Sequence, residues 1–231
     1  DAIIIGAGFS GLYQLYKLRD EIGLSVQIFE AADNVGGTWY WNRYPGARCD
    51  SESHTYCYYF SEKLLKKWEW SERYPGQAEI LEYLNFVTDT FRLRNNISFN
   101  SRITKSEFLE SEKIWLVTDN SGKQYRSKYV INAVGCLSTA NKPDIHGIKK
   151  FNGKIYHTGE WPHEEISFSN KRVGVIGTGS SGIQAIPVIS ETARFLTVFQ
   201  RTPNYSVPAR NQKLSTEFIS DFKNKTQDWL E

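Results

Sequence analysis

The sequence predicts an α/β chain of two strand–turn–helix–strand units, and three observations carry that prediction. The apolar run Ile3-Ile4-Ile5 leads directly into Gly6-Ala7-Gly8-Phe9-Ser10-Gly11, after which apolar residues recur at helical spacing. The same glycine spacing returns at Gly177-Thr178-Gly179-Ser180-Ser181-Gly182, again directly behind an apolar run at 173–176. Each copy also places a chemically decisive residue nineteen positions past its last glycine, Glu30 in the first and Arg201 in the second.

Each glycine in such a turn has a steric task. The first allows the tight turn, the second lets backbone approach a pyrophosphate, and the third lets the helix pack closely on the strand. The helix start then offers unpaired N–H groups and a partial positive charge to the phosphates. A carboxylate at the end of the second strand accepts bonds from the two hydroxyls of a bare ribose. A guanidinium grips a 2′-phosphate with two parallel bonds, where a carboxylate would repel it. The first unit therefore reads as an FAD-type site using Gly6, Gly8, Ser10, Gly11 and Glu30. The second reads as an NADP-type site using Gly177, Thr178, Gly179, Ser180, Ser181, Gly182 and Arg201. The glycine pattern alone is common, and Arg201 alone would be an ordinary surface arginine; their spacing to strand and helix makes the assignment specific. The predicted fold is α/β with two Rossmann-like dinucleotide-binding units, FAD then NADP, the second truncated.

The elements follow in order. Strands are expected at 3–5 and 26–30, with a helix between them reaching about Arg19. Residues 31–53 read as a long loop rich in Gly and Trp. Ile80, Leu84, Val87 and Phe91 recur at helical spacing, which predicts a helix over 77–92 behind the break Tyr74-Pro75-Gly76. Strands are expected at 97–99, 103–109, 114–117 and 129–134, with Asn120-Ser121-Gly122 as a turn. Residues 135–170, rich in Gly, Pro, His and Asn, read as a connection. A strand at 173–176, a helix from about Ser181 and a strand at 195–199 repeat the first unit. Lys63, Lys66 and Lys67 mark a solvated helical face. Leu214, Phe218 and Phe222 mark an apolar helical face that no later residue remains to cover. The expected division is an FAD-binding domain over 1–140, a linker over 141–170 and the first part of an NADP-binding domain over 171–231.

Composition excludes several classes. The net charge of +2 comes from 28 basic and 26 acidic residues spread along the chain, so no nucleic-acid footprint is expected. No apolar run approaches the roughly 20 residues that span a bilayer. Cys49, Cys57 and Cys136 form no CxxC pair and leave an odd thiol, which points to a reduced, cytoplasmic setting. His54, His146 and His163 show no metal-ligand spacing with the cysteines and read as surface or loop residues, so no metal is expected. The chain opens inside a strand, contains no Met, and closes at Asp228-Trp229-Leu230-Glu231 in a helix-like stretch. It therefore reads as part of a longer enzyme.

Between the two glycine turns lies Phe151-Asn152-Gly153-Lys154-Ile155-Tyr156-His157-Thr158-Gly159-Glu160-Trp161-Pro162, which matches the pattern FxGxxxHxxxWP. This resembles the fingerprint of the Baeyer–Villiger monooxygenases, class B flavin monooxygenases of the phenylacetone and cyclohexanone monooxygenase type. The resemblance extends through Gly36-Gly37-Thr38-Trp39-Tyr40-Trp41, Arg43 to Asp50, Gly177 to Gln184 and Gln200-Arg201-Thr202-Pro203. It implies an enzyme in which NADPH reduces bound FAD and O2 then supplies one oxygen atom, inserted beside a ketone carbonyl to give an ester or lactone. The implied partners are a small ketone and O2, with no nucleic acid and no membrane.

The resemblance also implies roles by position. Ser10 and Gly11 would lie at the FAD pyrophosphate, Glu30 at its ribose, Thr38, Trp39, Tyr40, Trp41 and Tyr56 near the flavin, and the backbone of Ile103 at the adenine. Trp39, Tyr40 and Trp41 could also be plain packing, and Tyr40 reads as that. Arg48, Cys49 and Asp50 would approach the nicotinamide, and Asp50 would contact FAD and orient a partner arginine. Asp50 taken alone is a turn carboxylate. Thr178, Gly179, Ser180, Ser181, Gly182, Ile183 and Gln184 would cradle the NADP pyrophosphate, with Arg201 and Thr202 on the 2′-phosphate. His157 and Trp161 would couple the two domains. The family's active-site arginine falls past Glu231, so the segment alone is expected to be inactive and to bind FAD weakly. Two other enzyme readings compete. A nitrogen- or sulfur-oxygenating flavin monooxygenase lacks the Trp161-Pro162 ending, and a disulfide-type flavoprotein reductase needs a redox cysteine pair. A non-catalytic nucleotide-binding remnant is the third alternative.

Overall fold

The computed structural model describes residues 1–137 and 139–225. The helix-like stretch at 228–231 lies outside them. Contacts divide the chain into two compact units, each built from two segments: Asp1–Trp41 with Leu81–Gly159, and Asn42–Ile80 with Glu160–Glu231. This differs from the expected division at 140 and 170, because residues 42–80 group with the second glycine turn.

The first unit is organised around a parallel sheet. Strands β1 (Ala2–Ile5), β2 (Val26–Phe29), β3 (Ile97–Ser98) and β7 (Tyr129–Asn132) run in the order β3-β2-β1-β7. Ile5 lies opposite Phe29 on one side and Asn132 on the other. Successive side chains alternate faces. Ile4 and Ile28 are fully buried on the face covered by α1 (Phe9–Tyr16), which contributes the buried Leu12 and Leu15. Beyond Tyr16 the chain widens into a π-type turn, Lys17–Glu21, so the expected helix to Arg19 changes its geometry partway. Helix α4 (Gln77–Thr90) is held by the predicted stripe: Ile80, Leu84 and Val87 are buried, and Phe9 and Tyr16 of α1 meet Tyr83 and Phe91 at 6.2 and 4.8 Å between ring centres.

The opposite face carries an antiparallel meander, β4 (Ile103–Leu109), β5 (Ile114–Asp119) and β6 (Gln124–Ser127). Val117 buries itself against Ile3 and Phe29, and the Tyr125 ring lies 4.4 Å from that of Phe29. Strand β6 has no apolar alternation to announce it in the sequence; its pairing with β5, Val117 opposite Tyr125, makes it a strand. The predicted turn between them is closed by Asp119. Its carboxylate accepts from the Ser121 and Lys123 N–H groups, the Ser121 hydroxyl and the Tyr125 hydroxyl.

In the second unit, β8 (Arg172–Ile176) and β9 (Phe195–Phe199) pair in parallel, joined by α5 (Ser180–Thr192). Helix α2 (Thr38–Trp41), in the first unit, interrupts the stretch at 31–53 expected to be loop, and α3 (Glu62–Lys67), in the second, carries the lysines expected on a helical face. Helix α6 (Thr216–Asn224) begins at Ser215, whose hydroxyl accepts from the Phe218 N–H at 3.1 Å. No residue of α6 is buried, in keeping with an apolar face that no later residue covers. An earlier residue makes contact with it: the His54 ring stands 5.3 Å from Phe218 and 6.1 Å from Phe222, while Phe218 stays exposed. His54 is therefore a packing residue, with only 18% of its side chain exposed. This contact comes from far back in the sequence, where helical periodicity cannot point. No helix among the described residues is long and apolar enough to cross a membrane.

Two outcomes follow. Leu84→Ala empties a fully buried position and should cost about 3 kcal/mol in urea unfolding, within the usual range for such cavities. The bond from the Ser121 hydroxyl, chiefly, holds the Asp119 carboxyl below its usual range. Its stabilising contribution is thus complete above about pH 4 and is lost as pH falls through the folded value. Melting temperatures measured from pH 6 to pH 2 should drop across that acid window, and Asp119→Ala should flatten that part of the profile.

Candidate dinucleotide-binding sites

The two glycine turns are near copies in geometry. Gly6 and Gly177 stand at φ +105° and +100°, where a side chain is strained. Each donates its N–H to the last residue of the neighbouring strand, Phe29 or Phe199, at 2.9 Å. Gly8 and Gly179 are the extended residues that start α1 and α5, and neither helix start is capped by a side chain or carries an acid in its first turn. Their first-turn N–H groups therefore stay available for an anion. The third glycine closes the unit: a Cβ on Gly11 would lie 1.9 Å from the Gly6 carbonyl oxygen, and one on Gly182 would lie 2.5 Å from that of Gly177.

The surroundings of the two turns differ. Glu30 is buried, and its two carboxylate oxygens accept from the Ala7 N–H at 2.6 Å and the Ala32 N–H at 2.8 Å. The Glu30 carboxylate is thereby fixed to the glycine turn itself, and each oxygen keeps acceptor capacity. On the second turn Arg201 and Thr202 are exposed just past β9. Thr178 is bound by two residues the motif reading did not single out. Gln200 donates to the Thr178 hydroxyl at 2.8 Å, and Asn204 donates to the Thr178 carbonyl at 3.0 Å. Only their return past the strand end brings them there. A carboxylate on the first turn and a guanidinium beside the second fit FAD and NADP respectively, as do the open helix starts. Ser10 and Ser180 are exposed in those first turns; Ser181 is half-buried and Ile183 is exposed on α5.

The turn Gly36-Gly37 lies against the first glycine turn: Gly36 donates to the Ala7 carbonyl at 3.0 Å, and a Cβ on Gly37 would meet the Gly8 Cα at 2.9 Å. Helix α2 follows, with Thr38 half-buried, Trp39 and Tyr40 buried and Trp41 partly exposed. The Tyr40 hydroxyl donates to Asp33 at 2.6 Å, in keeping with packing. Ile103 opens β4 opposite Asp119 and packs on the Ile3–Phe29–Val117 cluster.

In the second unit the Arg48 guanidinium reaches Glu72 at 3.2 Å and the Tyr74 carbonyl at 3.1 Å. Cys49 is buried, and burial raises its thiol. Burial also pushes the Cys57 thiol up to about 12. Both stay protonated near neutrality, so neither is a ready nucleophile. Asp50 is exposed, and Tyr56 is half-buried with its N–H on the Glu52 carbonyl at 3.0 Å. Gln184, expected at the pyrophosphate, places its amide on the backbone of Arg48. Glu52 and Arg73 pair through Nε at 2.7 Å, and that pairing holds the carboxyl of Glu52 below its usual range.

The division between the two units falls inside the fingerprint, between Gly159 and Glu160. His157 lies in the first unit and accepts the Gly159 N–H on Nδ1 at 3.1 Å. Trp161 lies in the second, its ring 6.2 Å from that of Phe168.

The glycine geometry yields a direct outcome. Gly11→Ala places a methyl against rigid backbone, so the variant should melt far below wild type or fail to fold in circular dichroism. Gly182→Ala, with the longer approach of 2.5 Å, should fold but with its own melting transition lowered.

Comparison with known proteins agrees with this geometry. Residues 1–213 match the family described as flavin-binding monooxygenase-like. The chain is 45% identical over 223 residues to cyclohexanone 1,2-monooxygenase of Acinetobacter sp, covering 96% of this chain and 41% of that protein. It is 47% identical over 224 residues to phenazine N-monooxygenase PhzNO1 of Lysobacter antibioticus, covering 97% and 41%. The structure of cyclohexanone monooxygenase from Rhodococcus sp. Phi1 bound to NADP+ superposes with a TM-score of 0.95 at 48% identity, over 99% of this chain and 43% of that one. The chain thus spans about two-fifths of the length of these relatives. With an α/β fold of two Rossmann-like units, this chain belongs to the flavin-binding monooxygenase-like family.

Proposed function

We propose that the protein to which this chain belongs is an FAD- and NADPH-dependent monooxygenase of the Baeyer–Villiger type, acting on a small ketone with O2. The observation that carries this reading is the fingerprint from Phe151 to Pro162, set between a glycine turn paired with Glu30 and one paired with Arg201. The identity to cyclohexanone 1,2-monooxygenase over 96% of the chain supports it. Bound FAD would supply the hydride acceptor and the centre at which O2 is activated. The chain's own residues bind and orient. The first-turn N–H groups of α1 would take the FAD pyrophosphate while Glu30, already braced by Ala7 and Ala32, accepts from the ribose. Thr38, Trp39 and Trp41 would lie near the flavin, with Tyr40 packing behind them, and the backbone of Ile103 would meet the adenine.

The α5 start would take the NADPH pyrophosphate, and Arg201 with Thr202 would grip the 2′-phosphate. Asp50 would face the reacting end of the cofactors. His157 and Trp161, on either side of the boundary between units, would couple their movements. The domain reading is likewise a proposal: an FAD-binding domain, a fingerprint connection and an NADP-binding domain, in a cytoplasmic enzyme.

A second reading is oxygenation of a ring nitrogen, favoured by the 47% identity to a phenazine N-monooxygenase. Incubating the full gene product with NADPH, O2 and either cyclohexanone or phenazine, followed by mass spectrometry, separates the two. A lactone supports the ketone reading and an N-oxide the other. NADPH consumption with neither product would sink both.

The Arg201 assignment has its own test. Arg201→Ala removes two charge-assisted bonds, so the kcat/KM ratio for NADPH over NADH should fall roughly 10–100-fold, with NADH turnover little changed. An unaltered ratio refutes the phosphate role.

A further inference from the structure

Gln184 lies in the second turn of α5, just past the glycine start of that helix. Its amide behaves as a second peptide group toward the loop at 44–48. Oε1 accepts from the Arg48 N–H at 3.4 Å, while Nε2 donates to the Arg48 carbonyl at 3.1 Å. Oε1 also accepts from the Tyr44 hydroxyl at 2.8 Å. Both acceptor positions of the amide oxygen are therefore committed to this loop, and one N–H remains.

The loop is also shaped to lie on the helix. Gly46 stands at φ +77°, and a Cβ there would fall 2.3 Å from the Gln184 carbonyl oxygen and 3.0 Å from Val188 Cγ2. On its far side the loop is secured to the 72–76 segment. Arg48 bridges Gly76, Cys49 donates to the Pro75 carbonyl at 3.0 Å, and the Arg48 guanidinium holds Tyr74 and Glu72. Asp50 follows two residues later.

We propose that Gln184 is a positioning residue, a side-chain clasp through which a nicotinamide dinucleotide seated on the α5 start orders the loop that carries Asp50. The inference rests on the NADP reading of the second glycine turn. The physical route is short. A phosphate on the free N–H groups of the first turn stops that turn from fraying. Gln184, in the next turn, passes the gain in order to Arg48 through two backbone bonds and to Tyr44 through a third. This gives Gln184 a task other than touching the pyrophosphate.

Hydrogen exchange read by mass spectrometry on the full gene product, with and without saturating NADP+, tests it. In wild type, NADP+ should slow exchange both at 177–186 and at 44–50. Gln184→Ala keeps a good helix former in α5, so slowing at 177–186 should persist. The slowing at 44–50 should shrink about fivefold, the worth of one net hydrogen bond of about 1 kcal/mol. Unchanged slowing at 44–50 in Gln184→Ala overturns the clasp. An absence of slowing at 177–186 in wild type instead overturns the dinucleotide reading, and the clasp with it. If Gln184→Ala does not fold, Tyr44→Phe decides: weaker slowing at 44–50 supports the clasp, and no change overturns it.

Discussion

Within each unit, the third glycine of the turn lies so close to the first that no side chain fits between them. The Gly6 carbonyl oxygen occupies the space a Cβ on Gly11 would need, and the Gly177 carbonyl does the same to Gly182. This contact sets the distance between strand and helix. It points the helix start back over the strand end, where free N–H groups converge on one spot. Everything proposed for the cofactors depends on that convergence, and so does the placement of Leu12 and Leu15 on the buried sheet. One backbone constraint thereby serves both stability and binding, so substitution of the third glycine damages both together.

Glu30 shows the same double use. Its carboxylate is held by two backbone N–H groups from two directions, Ala7 in the turn and Ala32 after the strand. A free carboxylate at this position would have to be ordered when a ribose arrived. Here the ordering is complete before any ligand binds, a form of preorganisation. The second turn is arranged differently. Its positively charged residue stands in solvent, and the bracing falls on Thr178 through Gln200 and Asn204.

Polar links and ring contacts tie the excursion from Asn42 to Ile80 to the second unit. Gln184 holds Arg48, and Asn211 donates to Glu72 and accepts from the Tyr74 N–H at 2.9 Å. Glu72 and Lys213 form a backbone bridge, Leu214 donates to the Ser71 carbonyl at 3.0 Å, and Lys223 pairs with Glu69. His54 completes the set against Phe218 and Phe222. Surface ion pairs add little here; the backbone bonds and the ring contacts are the stronger contributors.

Much of this was legible in the sequence because the relevant physics is local. A glycine spacing, an apolar run before it and a charge nineteen residues later are all set within one strand–helix–strand unit, and helical periodicity marked Ile80, Leu84 and Val87 for burial. What the sequence left open depends on partners far along the chain. Strand β6 exists because β5 pairs with it, His54 is half-buried where Phe218 returns to it, and Gln184 turns to Arg48 rather than outward. Residue type and spacing determined two glycine turns, each between a strand and a helix. Tertiary structure decided which side chains brace those turns, because hydrogen bonds across more than a hundred residues leave no periodic trace in the sequence.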